Sequence, residues 1–210
     1  AMALRIWKGE KLNAQTAQYR LRNSFHQILN EYIPQEVKDI LDIGCSVGIS
    51  TLALHDFCQN KQETSVNTTG LDLSPYMLAV AKISDTEHKI NHWLHAKAEE
   101  TPFADNSFDL VTLQFVLHEL PHQATLKIFR EIFRILRPGG CLGIIDNNPK
   151  SPVIQNLPPA LFVLMKSTEP WSDDYYTFNV EEGLKEIGFN YKKTIPSDPR
   201  HRTIIALKPI

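Results

Sequence analysis

Cysteine is scarce in this chain: Cys45, Cys58 and Cys141 are the three in 210 residues, too few and too scattered for a disulfide framework. No CxxC pair or Cys/His cluster has zinc-ligand spacing, so no metal site is expected, and a reducing compartment suits this usage. A surplus of either charge is also missing. With 22 Lys and Arg against 24 Asp and Glu, the formal net charge is −2, which creates no global field to gather phosphates; no nucleic-acid partner is expected. Long apolar runs are absent. Residues 161–165 form one of the longest, far below the roughly 18 residues of a membrane span, and the N-terminus has no apolar secretory stretch.

What is present is the composition of one globular domain, 42% hydrophobic and 22% charged. From about Val37 onward, strand and helix patterns alternate, which predicts an α/β fold with a mostly parallel sheet covered by helices on both faces. Strands are expected at 37–43, 66–73, 91–96, 108–115 and 141–146. Helices are expected at 46–57, 75–83 and 124–136, the second capped by Ser74 with Pro75 at its first position. The third stops at Arg137-Pro138-Gly139-Gly140, a strong turn signal. Residues 147–177 break the alternation and carry several prolines around an apolar segment, which suggests a functional insertion. A last helix at 180–187 ends at Gly188, and strands at 189–195 and 202–208 form a C-terminal antiparallel hairpin. An N-terminal helix at 11–32 is expected over the carboxyl edge of the sheet, so that 1–36 forms a helical cap on a 37–210 domain.

Ligands of open α/β sheets bind outside the carboxyl ends of the strands, where the strand order reverses. The loop Asp42-Ile43-Gly44-Cys45-Ser46-Val47-Gly48 stands there. Gly44 permits a sharp turn and a close backbone approach to a ligand, while Gly48 lets the next helix pack closely. Asp72 closes the second strand, where a carboxylate accepts from both hydroxyls of a ribose. A tight structural turn and a helix cap are the alternative readings of these residues.

Four ordered segments then spell a family. Ile40-Leu-Asp-Ile-Gly-Cys-Ser-Val-Gly-Ile-Ser50, Gly70-Leu-Asp-Leu-Ser-Pro-Tyr-Met77, Ala98-Glu-Glu-Thr-Pro-Phe-Ala-Asp-Asn-Ser-Phe-Asp-Leu-Val111 and Arg134-Ile-Leu-Arg-Pro-Gly-Gly140 resemble the successive motifs of class I methyltransferases. The similarity is to the type 11 group, the ubiquinone/menaquinone-biosynthesis-like enzymes with a Rossmann-like fold. Leu117-His-Glu-Leu-Pro121 and Lys166-Ser-Thr-Glu-Pro-Trp171 are similar to a branch found in cyanobacteria and plastids. The resemblance implies S-adenosylmethionine as cofactor, with its methionine part against Gly44, Ser46 and Gly48 and its ribose on Asp72 beside Leu73. Met77 and Ala98 would enclose adenine, and Gln114 and Phe115 would line the approach to the methyl group. Two positions depart from the pattern. Ser46 stands where glycine is usual, and Lys97, which only donates, replaces an acceptor for the adenine amino group; Glu99 or a backbone carbonyl is expected to take over that contact, and otherwise shape and the Ala98 amide hold adenine.

Methyl transfer needs a positioned acceptor and, for a hydroxyl or acidic carbon, a base. His118 reads either as that base or as a turn residue before Pro121. Trp171, Tyr175 and Tyr176 read either as an acceptor lid or as packing of the insertion. Tyr19, Arg20, Arg22 and His26 read either as a cover on the site or as a solvated basic face. The expected activity is therefore O- or C-methylation of a small apolar or aromatic metabolite. A catalytically idle cofactor-binding or partner-binding module and an NAD-dependent dehydrogenase are the alternatives, the latter disfavoured by the missing Gly-x-Gly-x-x-Gly spacing. Location is expected to be cytoplasmic, or plastid-stromal if a targeting peptide once preceded Ala1. Oligomeric state is not legible.

Overall fold

The structure, a computed structural model, describes residues 14–210, with side chains from residue 16. Helix α1 (Ala14–Asn30) precedes strand β1 (Asp39–Ile43), helix α2 (Ile49–Gln59), β2 (Asn67–Asp72), α3 (Pro75–Ser84), β3 (His92–His95) and β4 (Phe108–Gln114). After a 3₁₀ turn at Leu117–Glu119 come α4 (His122–Ile135) and β5 (Leu136–Asn147). The insertion folds as α5 (Pro152–Gln155), α6 (Pro159–Thr168) and α7 (Ser172–Thr177), and α8 (Val180–Ile187) leads into the hairpin β6 (Asn190–Pro196) and β7 (His201–Leu207). The strands lie in the order β3-β2-β1-β4-β5-β7-β6. Strands β1 to β5 are parallel, and β7 runs antiparallel between β5 and β6. The order reverses beside β1, which puts the Gly44 loop at the switch point.

Side chains alternate across a strand, and here both faces are covered. Leu41 and Ile43 of β1, Val111 and Leu113 of β4 and Leu142 and Ile144 of β5 meet Ile128, Phe129 and Ile132 of α4 and Leu184 of α8. On the other face Ile40, Leu110, Cys141, Ile145 and Ile205 meet Leu21, Phe25 and Leu29 of α1 and Leu54 and Cys58 of α2. In β4, buried on both faces, Leu110, Val111 and Leu113 supply the apolar packing, while Thr112 and Gln114 donate to Asp42. The three cysteines are buried as free thiols, and burial pushes those of Cys58 and Cys141 up to about 12.

Two expectations need correction. Arg137-Pro138-Gly139-Gly140 is not a turn between helix and strand: β5 begins at Leu136 and carries these residues. Backbone bonds from Gly139 N to the Lys208 carbonyl and from Lys208 N to the Gly140 carbonyl draw the segment into the sheet. Helix α1 does more than cover the carboxyl edge. Phe25 and Leu29 lie across the sheet's face, where a side chain on Gly143 would collide with Leu29; Ala17, Gln18, Leu21 and Arg22 reach the edge. The N-terminal part of the expected helix, residues 11–13, lies outside the described residues.

Candidate active site

The loop after β1 is held in a shape that few side chains tolerate. Gly44 (φ 71°) and Gly48 (φ 81°) are left-handed, and so is Ser46 (φ 50°), a conformation uncommon outside glycine. Gly44 N and Cys45 N donate to the Leu71 carbonyl, tying the loop to the end of β2. Asp72 completes the tie: Oδ2 accepts from Ser46 N and Oδ1 from Ser74 N, both at 2.8 Å. Beneath the loop, buried Asp42 accepts from Thr51 and Thr112 hydroxyls at 2.6 Å and from Gln114 Nε2 at 3.2 Å. Burial pushes the Asp42 carboxyl above its ordinary range against the pull of these donors.

A cleft of about 610 Å³ opens at these strand ends. Its lining includes Gly44, Ser46, Asp72, Leu73, Met77, Ala98, Glu99, Gln114 and Phe115, so nine of the ten expected cofactor residues come together. Gly48 does not. A Cβ there would sit 2.5 Å from Trp93 Cη2 and 3.1 Å from the Ala81 methyl, so the absent side chain serves packing of the loop. Leu73 and Met77 are 64% and 43% exposed at the rim, apolar surface of the kind a flat base covers. Lys97 lies on the same rim, in a lining that also has the carboxylates of Asp72, Glu99 and Glu119.

These residues suit S-adenosylmethionine. Each Asp72 oxygen accepts one amide and keeps a lone pair for a ribose hydroxyl, Glu99 is an acceptor within the cleft, and the carboxylate surplus matches a ligand that carries a sulfonium and an ammonium.

A second cavity, about 430 Å³, lies between α1 and the hairpin turn. It meets the first at Ser46, Gln114 and Phe115, which line both. Phe115 (φ 61°) holds a strained backbone at this junction, as residues at functional sites often do. The walls are Ala17, Leu21, Val47, Ile49 and Ile145, with Arg22, Asp198, Arg200 and His201 as charged or titratable groups. Asp198 was missed in the sequence, and so was His201: both stand in what reads there as a plain hairpin turn. The Asp198 carboxylate accepts from His201 Nδ1 at 2.8 Å and from the amides of Arg200 and His201. Burial raises that carboxyl, but these donors outweigh it and hold it below its ordinary range.

The residues expected as base and lid lie elsewhere. His118 is buried and lines neither cavity; its Nδ1 is 2.7 Å from Asp146 Oδ1, and Asp146 also accepts from Leu117 N. Tyr175 is 1% exposed, with its hydroxyl donating to the Asn147 carbonyl at 2.5 Å. Burial pushes Tyr176 up to about 12, and its ring lines a separate cavity with Ile154, Leu157 and Phe162. Trp171 is 44% exposed and lines no described cavity. Of the three, Tyr175 is packed in the core, Tyr176 lines that separate cavity and Trp171 is partly exposed; none lines the cofactor cleft or the second cavity. Of the α1 residues, Arg22 faces the second cavity, Tyr19 is exposed, and His26 is buried against Phe57, where burial and Arg22 lower its imidazole to about 4. Among the described residues, no helix is long and apolar enough to cross a membrane and no group of three or more metal-ligating side chains converges.

Residues 41–144 match the family of type 11 methyltransferase domains. The demethylmenaquinone methyltransferase of Listeria monocytogenes serotype 4a is 42% identical over 116 residues, 54% of this chain and 46% of that protein. The chain thus spans about half the length of the curated relatives it matches. A SAM-dependent methyltransferase from Aquifex aeolicus superposes with a TM-score of 0.68 at 19% identity, covering 91% of this chain and 93% of that one. The [4+2]-cyclase SpnF gives the same TM-score at 18% identity, covering 97% and 86%. With the four motifs in order and a cleft that suits the cofactor, the chain belongs to the class I, type 11 family of S-adenosylmethionine-dependent methyltransferases.

Proposed function

We propose that this chain transfers a methyl group from S-adenosylmethionine, bound at Asp72, Glu99 and the Gly44 loop, to a small apolar or aromatic molecule seated between α1 and the hairpin turn. The observation that carries this reading is the meeting of the two cavities at Ser46, Gln114 and Phe115. The cofactor supplies a sulfonium-activated methyl group. The chain's own residues orient the two partners and keep water away, since in-line displacement depends on alignment above all. Asp42 holds Gln114 at the junction, and Phe115 lines both cavities there. The family match ends at residue 144, before the hairpin turn, so the acceptor is read from the cavity and not from the relatives' names.

A ligand that binds only the folded state stabilises it by mass action. S-adenosylmethionine and S-adenosylhomocysteine at a hundred times Kd are expected to stabilise the protein by about 2.7 kcal/mol, raising Tm by roughly 5–10 °C, while NAD does nothing. A shift with NAD alone in a thermal melt overturns the cofactor assignment. The second reading is a cofactor-bound protein that methylates nothing, favoured by the equal likeness to a [4+2]-cyclase; a fold does not fix a reaction. Labelled methyl appearing in the small-molecule fraction of a metabolite extract, with release of S-adenosylhomocysteine, excludes it. Label in RNA or protein instead overturns the small-molecule acceptor.

A further inference from the structure

The second cavity contains a proton acceptor that neither the motifs nor the family match assign. Asp198 takes Nδ1–H of His201, which fixes the tautomer and leaves Nε2 as the basic nitrogen. No protein partner is recorded for Nε2 among the described residues. The His201 ring stands edge-on to Phe115 with centroids 5.3 Å apart, and Phe115 also lines the cofactor cleft. The turn that carries the pair is held from outside the hairpin: Asn148 N donates to the Arg200 carbonyl at 2.8 Å and Ser151 Oγ to the Pro199 carbonyl at 2.5 Å. A base fixed from two sides needs little reorganisation.

Charge separates the two cavities. The cofactor cleft has a carboxylate surplus, whereas the lining of the second has two guanidinium groups, Arg22 and Arg200, and one carboxylate, Asp198, beside the His201 imidazole. Arg22 has no ion-pair partner among the described residues, and burial lowers its guanidinium from the ordinary value. A cavity with apolar walls, the Arg22 guanidinium and a basic imidazole suits an acceptor that is neutral on entry and anionic when it reacts.

We propose that the acceptor is a small phenol, that His201 Nε2 takes its hydroxyl proton, and that Arg22 faces the phenoxide. This rests on the methyl-transfer reading and narrows it to oxygen. The phenoxide oxygen forms the new O–C bond as the C–S bond breaks, the electron pair stays on sulfur, and the imidazolium returns its proton to solvent. Around the imidazole stand the charged groups Arg22 from α1, the neighbouring Arg200 and Asp198, while Gln18, Gln114 and Phe115 are uncharged.

The test separates this inference from the reading beneath it. Calorimetry with S-adenosylhomocysteine comes first; failure to bind sinks the methyltransferase reading itself. The loaded protein is then titrated with 4-nitrophenol, whose phenolate absorbs visible light and whose phenol does not. Wild type is expected to bind the probe and raise its phenolate fraction above that of free probe at the same pH, while the ¹³Cε1 signal of His201 moves to its imidazolium position. His201→Gln should retain cofactor affinity within about twofold and lose at least tenfold of the phenolate gain, and Asp198→Asn should lose part of it. If His201→Gln fails to fold, the imidazolium signal in wild type decides alone. Absence of probe binding, an equal phenolate gain in His201→Gln, or an unmoved His201 signal overturns the proposal.

Discussion

Replacing Asp72 by alanine is expected to weaken S-adenosylhomocysteine binding by about 2–4 kcal/mol, roughly 30- to 1000-fold in Kd, with the fold intact. Two losses add. The ribose hydroxyls lose a charged acceptor, and the Gly44 loop loses its tie to β2, because Asp72 also accepts from Ser46 N and Ser74 N. Those amides face the open cleft, where water replaces the carboxylate, so the stability cost stays near 1 kcal/mol. Lys97→Ala is the control. Lys97 sits exposed on the rim and forms no ion pair among the described residues, and its removal should change binding by no more than about 0.5 kcal/mol. Calorimetric titration of the two variants beside wild type checks the ranking; a larger loss for Lys97→Ala means that adenine lies elsewhere.

That ranking was legible in the sequence because the candidate cofactor site is built from short segments at the ends of successive strands. Gly44, Ser46, Asp72 and Ala98 follow strand ends, and strand ends are marked by apolar runs that stop at glycine, serine or aspartate. Helix α8 was legible for a similar local reason: a periodic apolar face closed by Gly188, which adopts φ 110°. The acceptor side is different. His201 comes next to Phe115 and Arg22 only when β7 inserts beside β5 and α1 crosses the sheet, contacts far apart in sequence. Nothing local separates the Asp198–His201 turn from any other polar turn, whereas Trp171, Tyr175 and Tyr176 advertise themselves by residue type. Tyr175 shows the cost of reading by type, since its hydroxyl is spent on the Asn147 carbonyl. The Arg137–Gly140 segment fails the same way: its composition is that of a turn, but two backbone bonds with the Lys208 region decide its state.

His118 gives the second large effect, in stability where its sequence context suggested catalysis. Burial opposes the imidazolium, but the hydrogen bond to Asp146 and the charges of Asp146, Glu169 and Glu119 outweigh it, and its pKa is raised above the ordinary 6.5. The pair is enclosed: the two side chains are 10% and 1% exposed, with the Tyr175 ring 6.4 Å from that of His118. Removing one partner of such a pair leaves a buried carboxylate uncompensated, although the amides of Leu117 and Asn147 still donate to Asp146. His118→Ala should therefore lose about 3 kcal/mol, the low end for a broken buried pair, which for this chain length is roughly 6–12 °C in Tm. The sign of the pH dependence follows from the raised folded pKa. The stabilisation is complete below the unfolded value near 6.5 and declines as pH rises through the folded value, so the gap between wild type and variant should narrow with rising pH. Urea melts at about pH 5.5 and pH 8.5 measure it. At a temperature where both proteins are folded, methyl-label transfer should differ by only a few-fold, because His118 lines neither cavity. A loss of about a hundredfold or more in fully folded variant, the scale of a missing general base, would restore His118 as the base and displace His201.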